Sequence, residues 1–152
     1  MPTSSIAPAS HPARHLLRAG IDLAVLLATS ITFACVLTAL LTTDGVGWVW
    51  PSIPFSYERA DVLLHALLTS LLVMPLLLPR LQRAARWQDL LFALATLLVI
   101  RLGPPDAQVF GMTWTTGEVT RGLFLQQWPL VLPLTAAAVL LRRLLRTAIG
   151  AG

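Results

Sequence analysis

Residues 60–80 read ADVLLHALLTSLLVMPLLLPR, and this stretch decides the class of the protein. Between Asp61 and Arg80 the only ionisable side chain is His65. The rest is dominated by leucine. A helix needs about 20 residues, at about 1.5 Å each, to cross the roughly 30 Å hydrocarbon layer of a bilayer. The run over 60–79 meets that length, so it is expected to span a membrane. Pro75 lies within it and lacks a backbone N–H, so the helix should kink or lose a hydrogen bond there.

The composition agrees with this reading. The chain has 152 residues, 56% of them hydrophobic and 12% charged, with a mean hydropathy of +0.75. Soluble domains carry about a quarter charged residues. Too little polar surface is present here to cover a globule in water. The length fits one domain. The net charge is +4, and all eleven basic residues are arginine. No basic run interleaved with aromatics forms a nucleic-acid surface, so nucleic acid is not an expected partner. Cys35 is the single cysteine. It allows no intrachain disulfide and no cysteine metal cluster.

Three further spans follow from the same criterion. Leu23–Leu41 has no charged residue, and the first span is expected over 16–41. It is longer than the apolar core of a secretory signal, about 7–15 residues. Residues 1–14, rich in Pro, Ser and Ala, read as a flexible cytoplasmic tail. The third span, 87–102, is the shortest. Asp89 falls in its first turn, near Arg86, and Arg101 closes it. The fourth is expected over 122–141 and includes Pro129 and Pro133. The spans form one domain over 15–146, and 147–152 is a short tail. Residues 42–59 and 103–121 are rich in Gly, Pro and Ser or Thr and read as non-helical connections. Trp48, Trp50 and Trp128 are expected at the membrane–water boundary, where aromatic rings concentrate.

Orientation follows from arginine placement. With four crossings, Arg14, Arg18, Arg80, Arg83, Arg86, Arg142, Arg143 and Arg146 share one side, and Arg59, Arg101 and Arg121 the other. The positive-inside rule then places both termini in the cytoplasm. The expected fold is an all-α, four-helix membrane bundle, with a bacterial inner membrane as its location.

Candidate functional residues are few. Asp61, His65 and Thr69 are spaced by four and share a helix face. Ionisable groups inside a span are costly and are functional candidates by default. Asp61 and His65 could form a proton relay or an acid–base pair, or simply tie helices together. His65 could also ligate a haem or a chlorophyll-type pigment. His11 and His15 lie on the opposite side, about 25 Å away, too far to sandwich one haem with His65. Arg18 and Asp22 are four apart and are expected to pair at the membrane edge. Gly20, Ala24, Ala28 and Thr32 form a small-residue stripe of the kind that lets a second helix approach closely. No nucleophile motif, phosphate loop or paired-carboxylate cluster appears. The pentapeptide Asp61-Val62-Leu63-Leu64-His65 resembles a helix opening in the VanZ-like membrane family. It covers under a tenth of the chain, and the acidic/Gln helix of that family has no counterpart beyond Gln88-Asp89. No function is carried over from it. The sequence therefore points to a non-enzymatic subunit of a membrane assembly. Lipid and other membrane subunits, or a second copy, are its expected partners. A transport component using Asp61 and His65, or a haem- or pigment-binding subunit, are the alternatives.

Overall fold

A computed structural model describes residues 11–43, 45–54, 56–77, 85–103, 105, 107–110 and 115–150. The described residues are almost entirely helical. Five α-helices follow one another: α1 (His11–Thr42), α2 (Arg59–Val73), α3 (Ala85–Leu102), α4 (Thr116–Thr120) and α5 (Trp128–Gly150). Three helical stretches are long and apolar enough to cross a membrane: His15–Thr42, Arg59–Leu77 and Trp128–Ile149. This is the architecture of a helical membrane protein.

Helix α3 does not meet that criterion. Its 18 residues include Arg86, Asp89 and Arg101. Its place in the bundle is central. It packs against α1, α2 and α5 together, while α2 and α5 both rest on the α1–α3 pair. Phe92, Ala95, Thr96, Val99 and Ile100 are buried along it. A helix so shielded meets protein on most sides, and Asp89 and Arg101 both find protein partners.

Two apolar clusters fill the interior. Val25, Leu26, Val73, Leu77, Phe92, Ala95, Val99 and Ala138 make one. Phe33, Leu37, Ile100, Leu123 and Val131 make the other. Membrane helices associate through close packing and interhelical hydrogen bonds rather than through a hydrophobic drive. Buried threonines fit this economy of polar groups. Thr29, Thr38, Thr96 and Thr135 each donate to the carbonyl four residues earlier, at 2.7–2.8 Å. Their hydroxyls are satisfied without leaving their own helix.

Pro75 acts as its chemistry requires. The α-helical ladder stops at Val73, and Met74–Leu77 continues as a 3-10 turn. Where α3 ends, Gly103 permits a close approach of α1. A Cβ at this position would lie 2.5 Å from the Val99 carbonyl oxygen and 2.6 Å from Ser30 Oγ.

The connections differ from expectation in one place. The 103–121 segment is not irregular throughout: it holds a 3-10 turn at Ala107–Phe110 and helix α4. Thr115 and Glu118 form a capping box that starts α4. A π-helical turn, Arg121–Leu125, follows directly. The helix expected over 122–141 therefore begins at Trp128 instead and runs to Gly150. Pro129 falls in its first turn, where a missing N–H costs nothing. In the first connection, Val49 donates its amide to the Cys35 carbonyl at 3.2 Å, and Pro51 is buried. That segment folds back onto the last turns of α1 and covers Cys35. Several expectations lie outside the described residues: most of the 1–14 tail, Arg80 and Arg83, and residues 151–152.

Candidate functional site

The largest concentration of polar chemistry lies where α1 and α3 begin and α5 ends. Asp22 and Arg142 are 2% and 1% exposed. Arg142 Nε donates to Asp22 Oδ1 at 2.9 Å, and Arg146 Nη2 donates to Asp22 Oδ2 at 2.6 Å. One carboxylate thus accepts from two guanidiniums, one at each oxygen. Arg142 Nη1 reaches Asp89 Oδ1 and the Gln88 carbonyl, both at 3.3 Å. Arg143 Nε donates to Asp89 Oδ2 at 3.0 Å, and Arg146 Nη1 lies 3.4 Å from Gln88 Oε1. The Arg142 guanidinium also sits over the Phe92 ring, 4.6 Å from its centroid. Ring and cation attract when desolvated. The cluster pins three helices together through charge-assisted bonds, the strong class of hydrogen bond.

The sequence pairs Asp22 with Arg18 on spacing alone. The structure gives Asp22 to Arg142 and Arg146, and no ion pair joins it to Arg18 among the described residues. Arg18 is exposed. The arginines of α5, expected only as a topological signal, supply the strongest contacts in the bundle. Three arginines of α5 face two aspartates, and two of their nitrogens, Arg142 Nη2 and Arg146 Nε, are buried without an acceptor among the described residues.

Asp61, His65 and Thr69 do share one face of α2. They run from exposed Asp61 through half-buried His65 to buried Thr69. They are not joined as a relay. Asp61 Oδ2 accepts the Glu58 amide at 2.7 Å and completes the capping box of α2. His65 Nε2 lies 3.1 Å from the Leu102 carbonyl oxygen at the end of α3. A carbonyl only accepts, so Nε2 carries the proton. Thr69 Oγ1 donates to the His65 and Ala66 carbonyls, at 2.8 and 3.1 Å. The histidine thus satisfies one of the last carbonyls of α3 and ties α2 to it.

The remaining candidates lie on the outside. Gly20, Ala24 and Ala28 are exposed, and Thr32 is half-buried. A Cβ at Gly20 would meet nothing within 4 Å. The small-residue stripe thus faces away from the bundle's own helices. Trp48 and Trp50 meet edge to face, with centroids 6.2 Å apart, and Arg59 lies 5.9 Å from the Trp50 ring centroid. Trp128 is exposed at the start of α5. At the same end a small cavity of about 30 Å³ lies beneath α4 and the π turn, among Phe33, Ile100, Arg101, Leu123 and Phe124. Arg101 closes it with a hydrogen bond to Thr120 Oγ1. Among the described residues, no three His, Cys, Asp or Glu side chains converge as a metal site would need. Compared with family models, curated proteins and solved structures, the chain matches none of them.

Proposed function

We propose that the chain is a small, non-enzymatic integral membrane protein that serves as an accessory or structural subunit of a larger membrane assembly. It crosses a bacterial inner membrane four times, with both termini in the cytoplasm. One observation carries the reading: the ionisable groups within the bundle hold helices together. Asp22 and Asp89 are bound by α5 arginines, Asp61 caps α2, and His65 bonds the end of α3. What remains available to a partner is the outer surface, with Ala28, Ala136 and Ala137 exposed on α1 and α5.

The fourth crossing is supplied by α3. Its beginning meets the beginning of α1 and the end of α5, and its end meets α2 near His65. The meeting of Arg142, Arg143 and Arg146 with Asp22 and Asp89 supports an arginine-rich pole, which the positive-inside rule would direct to the cytoplasm.

A transport or pigment-binding role would run through Asp61 and His65. Coordination at His65 Nε2 would require release of the Leu102 carbonyl, and a relay would require Asp61 to leave its cap. Purification in mild detergent tests the proposal. A subunit is expected to bring specific membrane proteins with it and to show no visible absorption band. A monodisperse protein without companions would overturn the assembly role, and a Soret-type band would favour the pigment reading. Tags at the two termini should report the same membrane face; opposite faces would overturn the four-crossing topology.

A further inference from the structure

An open groove of about 600 Å³ runs along α1 beside the arginine cluster, lined by Leu16, Leu17, Gly20, Ile21, Ala24 and Leu145. The lining residues are apolar or glycine, so a hydrocarbon chain suits it. The neighbouring charges do not balance. Among the described residues, the guanidiniums of Arg18, Arg142, Arg143 and Arg146 stand against the carboxylates of Asp22 and Asp89, a formal excess of two positive charges. Arg18 is exposed. Arg146 Nε is buried without an acceptor among the described residues.

We propose that the groove holds an acyl chain of an anionic glycerophospholipid, with its phosphate drawn to the exposed guanidinium of Arg18 and to the positive charge of the arginine cluster behind it. Basic pockets between helices on the cytoplasmic side bind acidic headgroups in this way. Length and charge both fit. From Leu16 to Ala24 the helix rises about 12 Å, within one leaflet. The absent side chain at Gly20 leaves the room that a methylene chain fills. A second copy of this chain is the poorer occupant, because a shared contact at Gly20 brings like-charged arginine clusters together at the membrane edge. The inference rests on the membrane reading of the protein and adds a ligand to it.

The test uses the full chain in neutral detergent and native mass spectrometry. It is offered phosphatidylglycerol, phosphatidylcholine of the same acyl chains, or inorganic phosphate. Phosphatidylglycerol should be retained about fivefold more than phosphatidylcholine, the worth of one basic residue at an anionic surface, and inorganic phosphate should not be retained. Arg18→Gln should bring phosphatidylglycerol down to the phosphatidylcholine level. Gly20→Leu should lower retention of both lipids with the helical circular dichroism unchanged, since nothing lies near a Cβ there. Equal retention of the two lipids, or wild-type retention in both variants, would overturn the site. So would a Gly20→Leu variant that splits a dimer while lipid retention stays the same. A chain that washes off vesicles in alkali fails the membrane reading itself, whereas one that stays and does not discriminate fails only the lipid site.

Discussion

Arg142 Nε and Asp22 Oδ1 lie 2.9 Å apart, although the two residues are separated by 120 positions in sequence. Both are almost wholly buried, and the pair joins the beginning of α1 to the end of α5. Removing one partner of such a pair leaves the other charge without compensation. That costs about 3–5 kcal/mol, whereas replacing both by apolar groups is often close to neutral. Arg142→Met and Asp22→Leu should each lower the detergent unfolding midpoint strongly. The double variant should lose less than the sum of the two, with Arg146 left to carry the remaining penalty. Additive losses in a double-mutant cycle would show that the pair does not hold the bundle.

His65 makes a smaller contribution of the same kind. Its bond runs to the Leu102 carbonyl, and hydrogen bonds contribute about 1 kcal/mol net. His65→Ala should cost about that much in thermal unfolding. It leaves the α3 carbonyl without its side-chain donor. His65→Gln, whose amide can still donate, should recover part of the loss. Equal stability of all three proteins would dismiss the tie.

Two glycines predict opposite outcomes for the same substitution. Gly103→Ala drives a methyl group against the Val99 carbonyl and Ser30 Oγ, and overpacking of this kind costs about 1–3 kcal/mol. Gly20→Ala meets open space inside a helix, where alanine is favoured by about 1 kcal/mol. Measured side by side, the first should lower the unfolding midpoint and the second should hold or raise it.

Helix α4 carries a pH signature. Hydrogen bonds from the backbone and side chain of Thr115 hold the Glu118 carboxyl below the usual glutamate range. A carboxylate whose folded value is depressed stabilises the folded form above its unfolded value, and loses that contribution as pH falls through the folded value. Protection of the Thr115 amide, which donates to Glu118 Oε2 at 2.8 Å, should be steady near neutrality. It should fall only below the ordinary glutamate range. Hydrogen exchange of that amide in acid, with Glu118→Gln as the reference, measures the effect.

Much of the helical architecture is readable from residue patterns, and the reasons for the exceptions are physical. The apolar runs of α1 and α2 announce themselves because a bilayer demands long stretches without charge. The 3-10 turn at Met74 follows from the missing N–H of Pro75. The break before Trp128 escapes notice because Gly122–Gln127 holds only one weak punctuator, Gly122, before the helix-compatible Leu, Phe and Gln residues. Continuing the apolar pattern of α5 backwards is then the natural reading. The Asp22–Arg142 bond is hidden for a different reason. Spacing along one helix offers Arg18 as the obvious partner of Asp22, and the actual partner depends on how α1, α3 and α5 are turned about their axes. His65 shows the same limit: its neighbour Asp61 is visible in the sequence, and the carbonyl it meets 37 residues away is not.

The fold-back of the first connection over Cys35 has a practical outcome. The chain's single thiol is fully buried, in the stretch of α1 where the Val49 amide bonds the Cys35 carbonyl. Maleimide reagents should therefore pass over the native chain. Cysteines introduced one at a time at surface positions can then be labelled selectively, so residue-by-residue accessibility mapping and spin-label distance work can begin on the wild-type background.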